Sequence, residues 1–218
     1  MRTITIANLK GGSGKTTSAA YVAHAFQQLR RSVLLVDADP QAQLLSWSER
    51  AEFSIPAVWL PRPDIHRQLP GITGRRYDVA VIDTPPLYDP AKGGRTPTAE
   101  QRQAHGIVIS AIRAADAVLV PLAPTMMELE RVPAVLEAIE LAASYRDDGG
   151  PAVRLVLNRT VWNATSTRVI RRALTALGCQ VLATEIRNNQ TLAQAYAAPV
   201  TGKLHGYLSV AQDMENAK

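Results

Sequence analysis

The stretch Asn8-Leu9-Lys10-Gly11-Gly12-Ser13-Gly14-Lys15-Thr16-Thr17 decides how this chain folds. It nearly matches the phosphate-binding pattern G-x-x-x-x-G-K-[ST]. Gly14, Lys15 and Thr16 supply the second half. The first glycine of the pattern would fall on Leu9, and a second lysine, Lys10, stands ahead of Lys15. The flanks support a phosphate loop. Residues 3–8, TITIAN, read as a short strand. From Lys15 to about Arg31, Ala19, Ala20, Val22, Ala23, Phe26 and Leu29 recur at helical spacing. Glycines allow a tight turn whose N–H groups converge on phosphate oxygens, and the helix that follows adds its positive end. On this reading Gly11, Gly12, Ser13, Gly14 and Thr17 complete the cradle. Lys15 neutralises β- and γ-phosphate charge, and the Thr16 hydroxyl binds Mg²⁺.

Working outward, further strands are expected at RSVLLVDAD, IPAVWL, YDVAVIDTPP, ADAVLVPLAP, AVRLVLNR and QVLATEI. Helical patterns lie between most of them, at about 98–114, 125–145, 163–177 and 188–197. This alternation predicts an α/β fold, a mostly parallel twisted sheet with helices on both faces. No repeat or linker divides residues 1–218, so a single domain is expected. Residues 87–103, LYDPAKGGRTPTAEQRQ, read as a loop rich in proline, glycine and charge.

Three aspartates fall at strand ends, where ligands of parallel sheets sit. Asp83 closes VAVID and suits a magnesium carboxylate acting through water. Asp37 and Asp39 flank Ala38, and alternate residues of an extended segment share a side. Both are therefore expected to face the γ-phosphate, with Asp39 also near the metal.

KGGSGKTT, then VLLVDADPQ, then VAVIDTPP, in this order and spacing, resembles the ParA/MinD family of deviant Walker A ATPases, a class of P-loop NTPases. The resemblance implies that Lys10 is a signature lysine reaching the nucleotide of a partner subunit. It implies a homodimer on Mg-ATP, with Asp39 positioning the attacking water or the first switch loop. Asp83-Thr84-Pro85-Pro86 would be the second switch. Asn158, in VLNR, matches the position whose amide recognises adenine, and residues 199–201 would lie over the base. The long 87–103 segment departs from the family pattern.

The single Cys179 cannot build a zinc or iron–sulfur framework within one chain and points to a reducing compartment. No apolar run approaches the ~20 residues of a membrane helix, and the opening residues are too polar for a signal peptide. SVAQDMENAK does not read as an amphipathic anchor. A cytoplasmic protein without membrane contact is expected. The chain starts directly at a strand, so no separate N-terminal DNA-reading domain is expected. A net charge of +5 permits nucleic-acid contact without requiring it.

DADPQ favours the partition branch of the family. That branch implies non-specific DNA binding, nucleoid association when ATP-bound, and a ParB-like cargo adaptor that stimulates hydrolysis. Arg168, Arg171 and Arg172 share one helical face and are candidate DNA contacts, with Arg187 and Lys203 as weaker ones. Val169, Ile170, Ala173, Leu174 and Leu177 are expected to face the sheet. His24 and His105 have no partner at metal-ligand spacing. Trp47, Trp59 and Trp162 read as packing or rim residues, and Met126-Met127 as interface or core filler. Two rival readings stand beside the partition ATPase. One is an ATP-dependent synthetase or maturation enzyme acting on a small molecule. The other is a non-hydrolysing adaptor, which would need loss of Asp39 or Lys15.

Overall fold

Seven runs of aliphatic and β-branched residues become seven strands in the structure, a computed structural model that describes residues 1–74, 76–87 and 96–217. They are β1 (Arg2–Ile6), β2 (Val33–Asp37), β3 (Ala57–Trp59), β4 (Val79–Asp83), β5 (Ala117–Leu122), β6 (Ala152–Thr160) and β7 (Val181–Arg187). All pair in parallel, in the order β3-β2-β4-β1-β5-β6-β7. Every residue of β2, β4 and β5 is buried, as a sheet covered on both faces requires. The register sets Ile6 beside Asp83 and Asp83 beside Asp37. The carboxyl ends of the three strands therefore lie level at the point where the strand order reverses.

Helix α1 (Lys15–Gln28) follows the glycine turn directly. Its Ala19, Val22, Ala23 and Phe26 are fully buried against one sheet face. Helices α2 (Gln43–Arg50) and α9 (Tyr207–Asn216) share that layer. The other face carries α3 (Ile65–Thr73), α4 (Ala99–Ala114), α6 (Val132–Ala143) and α7 (Thr165–Ala176). The start of α4 is a capping box. Thr98 Oγ1 accepts the Gln101 N–H, and Gln101 Oε1 accepts the Thr98 N–H.

Several expectations are corrected. The pattern at 125–145 is two helices, α5 (Met126–Leu129) and α6, because Pro133 cannot continue a helix and instead starts one. The pattern at 188–197 contracts to α8 (Gln190–Ala193). Of the 87–103 segment, residues 88–95 lie outside the described residues, and 99–103 are the first turns of α4. Helix α3 escaped the sequence reading because Pro70 and Gly71 lie inside it. On α7 the buried positions are Thr167, Ile170 and Leu174. Val169 is exposed because it lies off that stripe, and Leu177 is exposed at the C-cap, past the last residue of the helix. Among the described residues no helix is long and apolar enough to cross a membrane.

Helix α9 was also missed, because its apolar stripe is short. Tyr207, Val210, Ala211 and Met214 recur at i, i+3, i+4 and i+7, and all are completely buried. The Tyr207 hydroxyl meets Ser18 Oγ of α1 at 3.0 Å. Met214→Ala should therefore destabilise the fold by about 2–5 kcal/mol. Exposed Gln212→Ala should change it by less than ~0.5 kcal/mol. Urea unfolding followed by circular dichroism measures both.

Candidate nucleotide site

Strand β1 ends at Ile6, and the chain turns through residues 7–14 into α1. Asn8 anchors the turn, its Nδ2 donating to the Pro121 carbonyl at 2.6 Å. Gly12 and Gly14 have φ of 74° and 92°, in the left-handed region that glycine tolerates. Gly14 has a second reason to be glycine. A Cβ there would lie 2.4 Å from Asn158 Nδ2. Asn158 is buried at the end of β6. Its Nδ2 donates to the Ser13 carbonyl at 3.1 Å, and its Oδ1 accepts the Arg159 N–H at 2.8 Å. The nitrogen end of the amide thus braces the glycine turn, while the oxygen end is held by β6 itself.

Beside the turn lies a cavity of about 670 Å³, lined by Gly11, Gly12, Gly14, Lys15, Thr16 and Thr17. Asp39, Pro40, Gln41 and Gln43 close one side, Pro85 and Pro86 another, and Glu100, Gln103 and Ala104 of α4 a third. A second cavity of about 420 Å³ continues past Gly14, Thr17 and Arg159 to Asn158, Asn188, Asn189 and Tyr207. The two cavities share Gly14, Thr17 and Arg159 and so run on as one trench. Residues 199–201 do not line the second cavity; Val200 packs against the core that contains Trp47.

Lys15 is buried, and its Nζ donates to the Lys10 carbonyl at 3.1 Å. Burial lowers its pKa, while Asp83, Asp39 and Glu128 hold it up. Lys10 does not line its own chain's phosphate cavity. Its Nζ lies 3.3 Å from Glu128 Oε1, at the end of α5. Glu128 is only 3% exposed, and Arg131 stands 3.9 Å from the same oxygen.

The two early aspartates divide their work. Asp37 is fully buried, and its carboxylate accepts the Asp39 N–H at 3.0 Å and the Leu45 N–H at 2.8 Å. It is spent on the turn into α2 and does not line the phosphate cavity. Asp39 does line the cavity. Asp83 is fully buried, and among the described residues neither carboxylate oxygen has a hydrogen-bond partner. Burial pushes its pKa up to about 7; the Thr16 hydroxyl and Lys15 work against that rise, and Asp37 and Asp39 add to it. An orphaned carboxylate facing a threonine hydroxyl at a phosphate cavity fits a hydrated magnesium ion.

Sequence reasoning missed Arg159, which lines both cavities, and Glu128, which holds Lys10. Arg159 follows Asn158 directly and adopts φ 55°, a conformation invisible in the sequence. Of the basic candidates, Arg168 is exposed and bonded to Asn163, and Arg172 is exposed. Arg187 stacks 4.2 Å from the ring centre of Trp162. The Arg171 guanidinium binds the Leu182 carbonyl and Glu185 of β7, so it is more tightly engaged than its neighbours on α7.

The fold and the trench together define a P-loop nucleotide-binding protein. Residues 4–200 match the CobQ/CobB/MinD/ParA nucleotide binding domain, and the chain belongs to that family. It is 30% identical over 203 residues to maintenance of carboxysome distribution protein A of Halothiobacillus neapolitanus, covering 91% of this chain and 85% of that protein. It is 27% identical to the chromosome-partitioning ATPase Soj of Thermus thermophilus, over 98% of this chain and 95% of Soj. Among solved structures, cobyrinic acid a,c-diamide synthase of Mycobacterium smegmatis, with bound ATP analogue and magnesium, superposes with a TM-score of 0.73. That match covers 99% of this chain and 94% of the synthase at 19% identity, and shows the shared fold.

The state of Asp83 has a measurable consequence. An acid whose pKa is higher folded than unfolded binds more protons in the native state. Stability is therefore lost as pH rises from its ordinary 3.8 through about 7. Without magnesium and nucleotide, the wild type should lose about 2–4 kcal/mol more than Asp83→Asn between pH 4 and pH 8. Urea titrations of both proteins across that range test this. A second variant tests the brace on the glycine turn. Gly14→Ala should abolish nucleotide binding in calorimetry, because the methyl group meets Asn158 and φ is unfavourable.

Proposed function

We propose that this chain is a ParA-type positioning ATPase. It dimerises around Mg-ATP, binds DNA without sequence preference, and hydrolyses ATP slowly. The cycle of DNA affinity would position a plasmid, a chromosomal region or another cargo. The observation that carries this reading is the split between the two lysines. Lys15 is buried in its own chain's cavity. Lys10, one turn of loop away, is outside that cavity and half exposed. A cation placed there is available to a second nucleotide.

The chemistry assigned to the site is attack of water on the γ-phosphorus with release of ADP. The glycine-turn N–H groups and Lys15 hold the phosphates. Asp39 accepts a hydrogen bond from the attacking water and aims it. Thr16, Asp83 and Asp39 would hold magnesium, and the ion would supply positive charge against the phosphates. Lys10 of one subunit, reaching the other's nucleotide, supplies positive charge as the transition state forms. To do so it leaves Glu128, whose buried carboxylate then keeps Arg131. Asn158 stands at the base end of the trench, where adenine recognition is assigned. Dimerisation is favoured by ATP because it binds the dimer more tightly than the monomer.

DNA contact is assigned to Arg168 and Arg172 of α7 and to Arg187, as phosphate contacts that weaken steeply with salt. The relatives named for chromosome partitioning and carboxysome distribution support a positioning role. A cargo-bound adaptor, ParB-like in function, that stimulates hydrolysis is part of the same proposal and rests on the resemblance of DADPQ to the partition branch.

Two measurements on Lys10→Ala test the proposal: sedimentation with ATP or ADP, and fluorescence anisotropy of a labelled DNA duplex. The wild type should dimerise and bind DNA only with ATP. Lys10→Ala should still bind ATP but lose both responses. A strictly monomeric ATP-bound wild type overturns the reading. Turnover that ignores DNA and requires an added carboxylate or amide acceptor favours the synthetase.

A further inference from the structure

The edge strand β3 ends in Trp59, and the indole leaves 52% of its surface in solvent. Packing alone is a weak reason for so large an apolar side chain there. Its polar atom has a definite partner. Nε1–H donates to the backbone carbonyl of Asp39 at 3.1 Å. The contact follows from the sheet register, which sets Trp59 beside Asp37, two residues before Asp39.

The segment it touches is a turn in need of support. The Asp39 N–H is held by Asp37 Oδ1, and Asp39 Oδ1 accepts the Gln41 N–H at 2.9 Å. The Asp39 carbonyl also accepts the Ala42 N–H at 3.0 Å, closing a turn through Pro40. Ala42 then takes φ 51°, a left-handed conformation that an alanine resists. Asp39, Pro40 and Gln41 from this turn line the phosphate cavity. The Trp59 N–H occupies the remaining acceptor position of the Asp39 carbonyl and ties the turn to the sheet.

We propose that Trp59 is a positioning residue for hydrolysis: its indole N–H fixes the Asp39 backbone, and so the carboxylate that aims the attacking water. This rests on the reading of Asp39 given above. Trp59 touches neither nucleotide nor water and acts through Asp39 alone. Phenylalanine at this position keeps an aromatic ring on the strand and removes only the donor.

The test is a double-mutant cycle on the full chain, with wild type, Trp59→Phe, Asp39→Asn and the double variant. Single-turnover release of γ-phosphate is measured with enzyme in excess, together with the half-saturating ATP concentration and Tm. Trp59→Phe should slow the chemical step by about three- to tenfold, the size of one lost hydrogen bond. Half-saturation and Tm should stay at wild-type values, which a merely structural role would not predict. In the Asp39→Asn background, Trp59→Phe should have no further effect. An unchanged rate in Trp59→Phe, or an equal loss in both backgrounds, overturns the inference while leaving Asp39 in its role. Wild-type hydrolysis by Asp39→Asn overturns the reading of Asp39 itself, and the role of Trp59 with it.

Discussion

Strand β4 is inserted between β1 and β2 in a register that sets Ile6, Asp83 and Asp37 side by side. The nucleotide site rests on that pairing. A slip of one residue would turn every side chain of β4 to the opposite face. Asp83 would leave Thr16 and Lys15, and its apolar neighbours would leave both cores. The same level edge places the glycine turn after β1 next to Pro85 and Pro86 after β4. Thr84 Oγ1 reinforces it by donating to the Ile6 carbonyl at 2.8 Å. Sheet hydrogen bonds, formed over five register positions, thus carry the precision that three separate loops need.

Charge in this edge is arranged unequally. Asp37 is buried but satisfied by backbone N–H groups, which is the stable way to bury a carboxylate. Asp83 is buried and, among the described residues, unsatisfied, which is expensive unless a cation completes the site. The two lysines show the same contrast. Lys15 is held inside by a backbone carbonyl and surrounding acids, whereas Lys10 leans outward on Glu128. Stable packing therefore surrounds a few groups left short of partners, and those groups mark where a ligand or second subunit would be recognised.

Two of the non-glycine residues held at positive φ also stand beside the trench. Ala42 and Arg159, both with positive φ, flank the trench on opposite sides. Each is over-determined by its surroundings. Ala42 is held by the Asp39 turn, and Arg159 by the Asn158 side chain and the end of β6. Strain of this kind persists only where neighbouring bonds enforce it.

The motif Lys10 to Thr17, the strand-end aspartates and the alternation of strands with helices were legible from residue order alone. Each depends on local conformation: glycine's freedom at positive φ, the period of buried strands, and the period of helices. Helix α9 and the Pro70-containing α3 were not legible, because their short apolar stripes mean something only once the sheet is there to cover them. Nor were the separate fates of Asp37 and Asp39, the pairing of Arg171 with Glu185, or the grip of Glu128 on Lys10. Those contacts join residues up to more than a hundred positions apart, and a sequence carries no record of which polar group will meet which. Residue order determined the sheet, the phosphate turn and the chemistry available to them. Tertiary packing decided which charges were neutralised within the chain and which were left facing the trench, because burial and distance, not residue type, set the cost of a charge.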